Sequence, residues 1–211
     1  MFLLTLIFAA HSSNIYGVEL FNSDSQPLGL SYDYWAKEWW QWIYLEPEGS
    51  NPASDTDGHL CSKNQRSDVW FLAGTFMNNS QVIRKCTIPF GIPILFPVIV
   101  GQCSIEENWL MSFLGNTKET LFSKCNATAS EIDSRIDGKA IQPINHRSSE
   151  IFQLDFPNNN IKGIKPGTKA SVSNGYWIMI NSLPIGNHTV KSSATDTHGF
   201  ISNVTYYLTV K

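Results

Sequence analysis

Residues 32–44, YDYWAKEWWQWIY, put four tryptophans and three tyrosines into thirteen positions. Rings at that density need an apolar surface to lie on, and they narrow what the chain can build around them. On a helical wheel at 100° per residue, Trp42, Trp35, Trp39, Tyr32, Ile43, Ala36 and Trp40 fall, in that order, within an arc of about 160°. Asp33, Tyr34, Lys37, Glu38, Gln41 and Tyr44 occupy the rest. The pattern predicts an amphipathic helix with Ser31 as its N-cap and Pro47 as its stop, lying across a sheet. Trp35, Trp39 and Trp42, near the middle of the arc, belong to the core. Trp40 stands at its margin, with Tyr44 one turn on and facing outward. An exposed pair of this kind stacks on a sugar ring or on a partner's side chain, so Trp40 and Tyr44 are the ligand-binding candidates. The competing role for Trp40 is to cover a core edge.

Most of the chain beyond this helix has strand character. Residues 68–76 (DVWFLAGTF) and VIRKCTIP suggest a hairpin across MNNSQ. In IPILFPVIVG, Pro93 and Pro97 disfavour a central strand and point to edge pairing or a bulge. ENWLMSFLG and TKETLFSKCNATASEID read as helical pieces, with Gly115 and Asn116 between them. Asp137-Gly138 signals a tight hairpin. SSEIFQLDF is a further strand, and from KASVSNGYWIMINSL onward strand follows turn every eight to twelve residues, which is the sandwich pattern. In the last strand, Ile201, Val204, Tyr206, Leu208 and Val210 suit one buried face, with an irregularity near Asn203. The expected fold is mainly β: an Ig-like β-sandwich with an N-terminal aromatic amphipathic helix and one or two inserted helices. Residues 18–211 form one domain.

Three features place that domain outside the cytosol. Phe2 to Ala10 is an apolar run of nine residues. As a helix it rises about 14 Å, less than half of a hydrocarbon core of roughly 30 Å. It therefore fits a signal peptide over residues 1–17 better than a membrane span, although its n-region carries only the α-amino charge. A buried first strand is the alternative. The four cysteines, Cys61, Cys86, Cys103 and Cys125, contain no CxxC and fit two disulfides. Four cysteines allow three pairings; Cys61–Cys86 with Cys103–Cys125 closes the shorter loops. Glycosylation sequons occur at Asn78, Asn126, Asn187 and Asn203. The net charge of -3 and the lack of a basic stripe argue against nucleic acid as a partner. No further stretch is apolar enough to be a transmembrane segment.

Chemistry leaves a fainter trace. HExxH, GxSxG, P-loop and GxGxxG patterns are all missing from the sequence. No catalytic residue and no cofactor is assigned. His59, His146, His188 and His198 are scattered, and His188 suits a structural role in a turn. Asp55 and Asp57, two apart before Gly58, resemble the start of a calcium loop whose remaining ligand positions are missing. They are the metal candidate, but no metal is assigned. Glu46, Glu48, Glu106 and Glu107 offer carboxylates for a glycoside-hydrolase pair.

Two resemblances add to this. Leu183, Gly186, His188, Thr189, Asp196, Gly199 and Val210, within LPIGNHTVKSSATDTHGFISNVTYYLTV, resemble the closing strands of bacterial Ig-like modules. Five blocks, YWAKEWWQW, VWFLAGTF, RKCTIPFGIPILFPVI, RIDGKAI and NGYWIMINSLPIGNHTV, are similar, in order, to an uncharacterised family of secreted microbial proteins. That family implies no activity. Ile92 stands where its IPxGKxI block carries Lys. The functional expectation is a secreted, disulfide-bonded interaction module that binds an extracellular glycan or protein at the cell surface or envelope. The alternatives are a secreted hydrolase with a carboxylate pair and a structural envelope protein that associates with itself.

Overall fold

The computed structural model describes residues 13–15, 18–105, 121, 125, 127–148 and 150–211. Most of the expected leader lies outside them. Within it, β1 (Ser13–Ile15) pairs antiparallel with β2 (Val18–Leu20). The helix α1 spans Tyr32–Leu45, and the Ser31 hydroxyl accepts from the Tyr34 amide at 3.3 Å, as its N-cap position requires. At the other end Asn51 Nδ2 donates to the carbonyls of Ile43 (2.6 Å) and Glu46 (2.9 Å), which the helix leaves without internal partners.

The rest of the described chain builds two sheets. The spine of the first is β10 (Gly167–Ile180). One edge of β10 pairs antiparallel with β5 (Ile94–Ser104). Its other edge is shared, in succession, by β9 (Phe152–Phe156), β8 (Ile144–Arg147) and β2. The short β3 (Trp70–Phe71) lies parallel to the start of β5. The second sheet runs β4 (Ser80–Ile88), β12 (Ile201–Val210), β11 (Gly186–Asp196), β6 (Ala129–Ile136), β7 (Lys139–Ala140). Within it β4 and β12 are parallel.

The layers are therefore helix, sheet and sheet. In β10, Ile178 and Ile180 face the second sheet and pack in one core with Ile94, Phe96, Val204 and Leu208. Trp177 and Met179, on the opposite side of the pleat, join Trp35, Trp39, Trp40 and Ile43 in the core beneath α1. Cys61 and Cys86 are joined by a disulfide that fastens the loop after α1 to β4.

Several expectations are corrected. Residues 68–76 contribute only β3, and β4 does not return against it: β4 crosses to the other sheet and lies beside β12. Alternation identifies a strand's buried face but not its neighbour. Residues 129–133, assigned to a helical piece, are strand, because Ala129–Ile136 pairs with β11. The rest of both helical pieces lies almost wholly outside the described residues. In β12 Ser202, not Ile201, is the first inward residue; pairing with β11 runs without a shift, so the irregularity near Asn203 is absent. The proline argument holds for β5. The register shifts where Tyr176 faces Ile99 and Trp177 faces Pro97, leaving Val98 as the bulged residue. The Asp137-Gly138 turn forms as the sequence predicts, both residues having positive φ (49° and 77°).

Candidate functional site

The aromatic segment is core on both flanks. Trp35, Trp39 and Trp42 are buried as expected, but so are Trp40 (2% exposed) and Tyr44 (0%). The outward-facing pair is thus a correction. The wheel accounts for the surface that lies on the sheet. It contains nothing of β9 and the loop after it, which fold up against the Tyr44 flank, where Tyr44 packs on Phe156 at 4.6 Å between ring centroids and Pro47 bridges to Asn160. Trp40 and Tyr44 do stack, at 5.5 Å and 15°, inside the protein.

Burial leaves the Tyr44 hydroxyl needing a partner, and a run of hydrogen bonds supplies it. Tyr44 donates to Gln102 Oε1 (2.8 Å), Gln102 Nε2 to Ser104 Oγ (2.5 Å), Ser104 to Ser171 Oγ (2.9 Å), and Ser171 to the Lys169 carbonyl (3.1 Å). Desolvation pushes the Tyr44 pKa far above the usual phenol range, so the hydroxyl remains a donor. The chain of donors fixes the Gln102 side chain from behind.

Gln102 lines a cavity of about 320 Å³. The cavity exists because β3 ends at Phe71, with the Leu72 amide still bonded to the Leu95 carbonyl (3.0 Å). Beyond that point residues 73–76 are not strand, although Gly74 still lies against Pro97, and no described strand pairs with that edge of β5. Trp39, Trp40, Phe76 and, from the turn between β11 and β12, Phe200 give it an aromatic lining. Its polar groups include Gln102, Thr75, Ser202 and two of opposite charge, Lys162 and Asp196. The Lys162 ammonium lies 5.0 Å from the Phe76 ring centroid, a cation–π contact on the wall. Sequence reasoning missed this site, apart from Trp40. Its residues come from widely separated segments, and only the Pro97 bulge signals that the edge of β5 is irregular.

The remaining candidates have other roles. Glu46 is buried and fully engaged: Lys63 Nζ lies 2.7 Å from Oε2, Ser50 donates to Oε2, and Asn64 donates to Oε1. Glu48 is exposed in the turn after α1, and Glu106 and Glu107 lie outside the described residues. Asp55, Asp57 and His59 bring ligand-type atoms within 4.8 Å of one another. Their oxygens, however, already face N–H groups. Asp55 accepts from the amides of Asp57, Gly58 and Leu60, and Asp57 accepts from the His59 amide and ring. The cluster organises a loop as it stands. His188 is likewise structural, with Nδ1 2.8 Å from Asp137 and Nε2 2.9 Å from the Pro184 carbonyl.

Of the sequons, Asn187 and Asn78 are exposed, with Asn78 Oδ1 accepting from the Ile201 amide. Asn203 is half-buried in β12, between two other strands, and its Oδ1 is buried. Asn126 lies outside the described residues. The expected Cys103–Cys125 disulfide is a correction: the two are thiols packed together in one small cluster, which sequence spacing cannot distinguish from a bridge. No described helix is long and apolar enough to cross a membrane. No family model matches the chain, and neither a curated protein nor a solved structure matches it.

Proposed function

We propose that this protein is an exported interaction module and that the cavity beside β5 is where it holds its ligand. The observation that carries the proposal is the cavity's make-up. An aromatic wall with a few fixed polar groups is the usual form of a small-ligand site, and about 320 Å³ is at the small end of that class. The volume suits one sugar ring or one side chain of a larger glycan or protein partner. Trp40 keeps a place in this reading as part of the back wall; Tyr44 acts behind it by holding Gln102.

Export is supported by the Cys61–Cys86 disulfide, by the apolar leader and by two exposed sequons. An Ig-like relationship draws support from the β4-β12-β11-β6-β7 order with its parallel first pair, and from a first sheet centred on β5 and β10. The parallel pairing of β3 with β5 departs from that scheme. Membership in the uncharacterised secreted family stands on the five sequence blocks alone.

The test is a glycan and extracellular-peptide screen of the purified mature chain by calorimetry, repeated with Phe76→Ala and Gln102→Ala. The proposal expects a ligand whose affinity falls at least about tenfold in both variants, the loss of about 1.4 kcal/mol. A ligand bound equally by wild type and both variants would place binding elsewhere. Failure of every compound in both classes would remove the module reading.

A further inference from the structure

The cavity has one chemically reactive wall. Cys103 lines it near the end of β5, and Cys125 is buried behind, in a small apolar cluster with Leu121 and Val172. Cys103 packs against that cluster, Cys125 Sγ lies 3.9 Å from the Val172 carbonyl, and Val172 stands opposite Cys103 in the β10–β5 register. They are 22 residues apart in sequence, so an adjacent pair of thiols has been assembled by the fold rather than by a local motif. The two positions differ in access: Cys103 is half-buried on the cavity wall and Cys125 is only 2% exposed. Lys162 and Asp196 both line the same cavity, and at Cys125 the Lys162 charge opposes only part of an upward shift set mainly by the hydrogen bond to Cys103 and by burial. Cys125 lies against β5: a Cβ built at Gly101 would sit in ordinary contact with its Sγ at 3.7 Å and with the Ala127 Cβ at 3.4 Å.

We propose that Cys103 and Cys125 form a thiol–disulfide exchange site opening on the cavity, with Cys103 as the attacking thiol, Cys125 as the resolving thiol and a small-molecule or peptide disulfide as the co-reactant. Cys103 loses its proton to water and attacks one sulfur of the co-reactant RSSR. A Cys103–SR bond forms, the S–S bond breaks, and RS⁻ leaves and takes up a proton. The Cys125 thiol then loses its proton and attacks the Cys103 sulfur, expelling the second RS⁻. The sum is two cysteine thiols and RSSR giving one Cys103–Cys125 disulfide and two RSH, and the reverse reaction reduces the bridge. The hydrogen bond to Cys103 and burial push the Cys125 pKa well up, which keeps Cys125 protonated and leaves the first attack to the more accessible Cys103. Cys61–Cys86, buried at both ends, is the structural bridge by contrast. The inference rests on the thiol pair and does not require that the cavity bind a glycan or peptide.

The test equilibrates the full chain in buffers of reduced and oxidised glutathione, quenches by alkylation and counts modified cysteines by peptide mass spectrometry. The expected result is a reversible transition between two alkylated cysteines and none, at positions 103 and 125, while Cys61–Cys86 stays bridged. Cys125→Ser should accumulate one glutathione adduct at Cys103, and Cys103→Ser should leave Cys125 unmodified. A Cys103–Cys125 bridge that persists across the whole buffer range would overturn the proposal in favour of a second structural disulfide. An adduct on Cys125, or none on either, would overturn it as well. Circular dichroism of each variant verifies the fold, and wild-type titration alone decides the case if a serine variant does not fold.

Discussion

The Trp40 indole N–H donates to Ser173 Oγ at 2.9 Å, joining the middle of α1 to the middle of β10 across 133 residues of sequence. The bond lies on the buried face of the helix, where Trp40 also meets Trp39 edge-on at 4.9 Å. Trp40 therefore fastens the helix to the sheet and forms a wall of the cavity at once. Trp40→Phe keeps a ring but removes the donor and should cost about 1–2 kcal/mol, whereas Trp40→Ala should cost about 3–5 kcal/mol. Urea unfolding followed by far-UV circular dichroism measures both. A Trp40→Ala protein within about 1 kcal/mol of wild type would mean that this flank of the helix is not packed.

Arg84 is 1% exposed, and backbone carbonyls rather than a carboxylate hold its charge. Its guanidinium donates to the carbonyls of Ala53, Asp55, Ala73 and Gly74 and to the Tyr206 hydroxyl, whose ring centroid lies 5.4 Å away. One side chain thus ties the loop after α1, the segment beyond β3 and the second sheet together. Arg84→Met retains the length and leaves several buried acceptors without donors, at an expected cost of about 3–5 kcal/mol. Arg84→Lys should lose most of that as well, because an ammonium cannot reach acceptors spread around a planar fork. Chemical denaturation of the two variants would refute this if the lysine protein matched wild type.

The residues that the sequence assigned well are those whose signal is local. Seven apolar positions on one arc define α1, Ser31 and Pro47 bound it, and Asp137-Gly138 sets its turn. Spacing favoured the Cys61–Cys86 pairing, which forms, and equally a Cys103–Cys125 bridge, which does not. What sequence did not convey depends on partners far away. Val82, Arg84, Cys86 and Ile88 alternate inward along β4 whichever strand lies beside it, so its place next to β12 has no local mark. Tyr44 reads as exposed because a wheel holds one surface, while β9 supplies a second. The cavity gathers Phe76, Gln102, Lys162 and Phe200, and none of them carries a motif. It arises from where β3 stops, which is a property of the whole sheet.

Gly175 lies beside the β5 bulge with φ +145°, and a Cβ there would come within 2.4 Å of the Ile99 carbonyl oxygen and 2.6 Å of Val100 Cα. Both contacts are backbone, so no rotamer change relieves them. At Gly138 a Cβ meets nothing within 4 Å, and only its positive φ opposes a side chain. Gly138→Ala should therefore cost about 1–2 kcal/mol. Gly175→Ala should cost clearly more, by forcing β10 and β5 apart where the register shifts. Thermal melts of the pair provide the comparison, and equal melting temperatures would contradict the close approach.

His59 Nδ1 lies 2.7 Å from Asp57 Oδ1 and 3.2 Å from Asp55 Oδ1. The hydrogen bond to Asp57 is the main cause of a His59 pKa above its ordinary 6.5, and the same bond is the main cause of an Asp57 pKa lowered to about 2. The signs are opposite. A raised histidine contributes its stabilisation in full below 6.5 and loses it as pH rises through the folded-state value. A lowered aspartate contributes in full above 3.8 and loses it as pH falls toward about 2. Both contributions are present together only between those limits, so the loop at 55–60 should be most ordered in mildly acidic solution. Asp57→Asn should return the His59 pKa most of the way to 6.5, with the remainder due to Asp55. Imidazole resonances followed by NMR through a pH titration measure this, and a His59 midpoint unchanged by the substitution would show that Asp57 does not hold the ring.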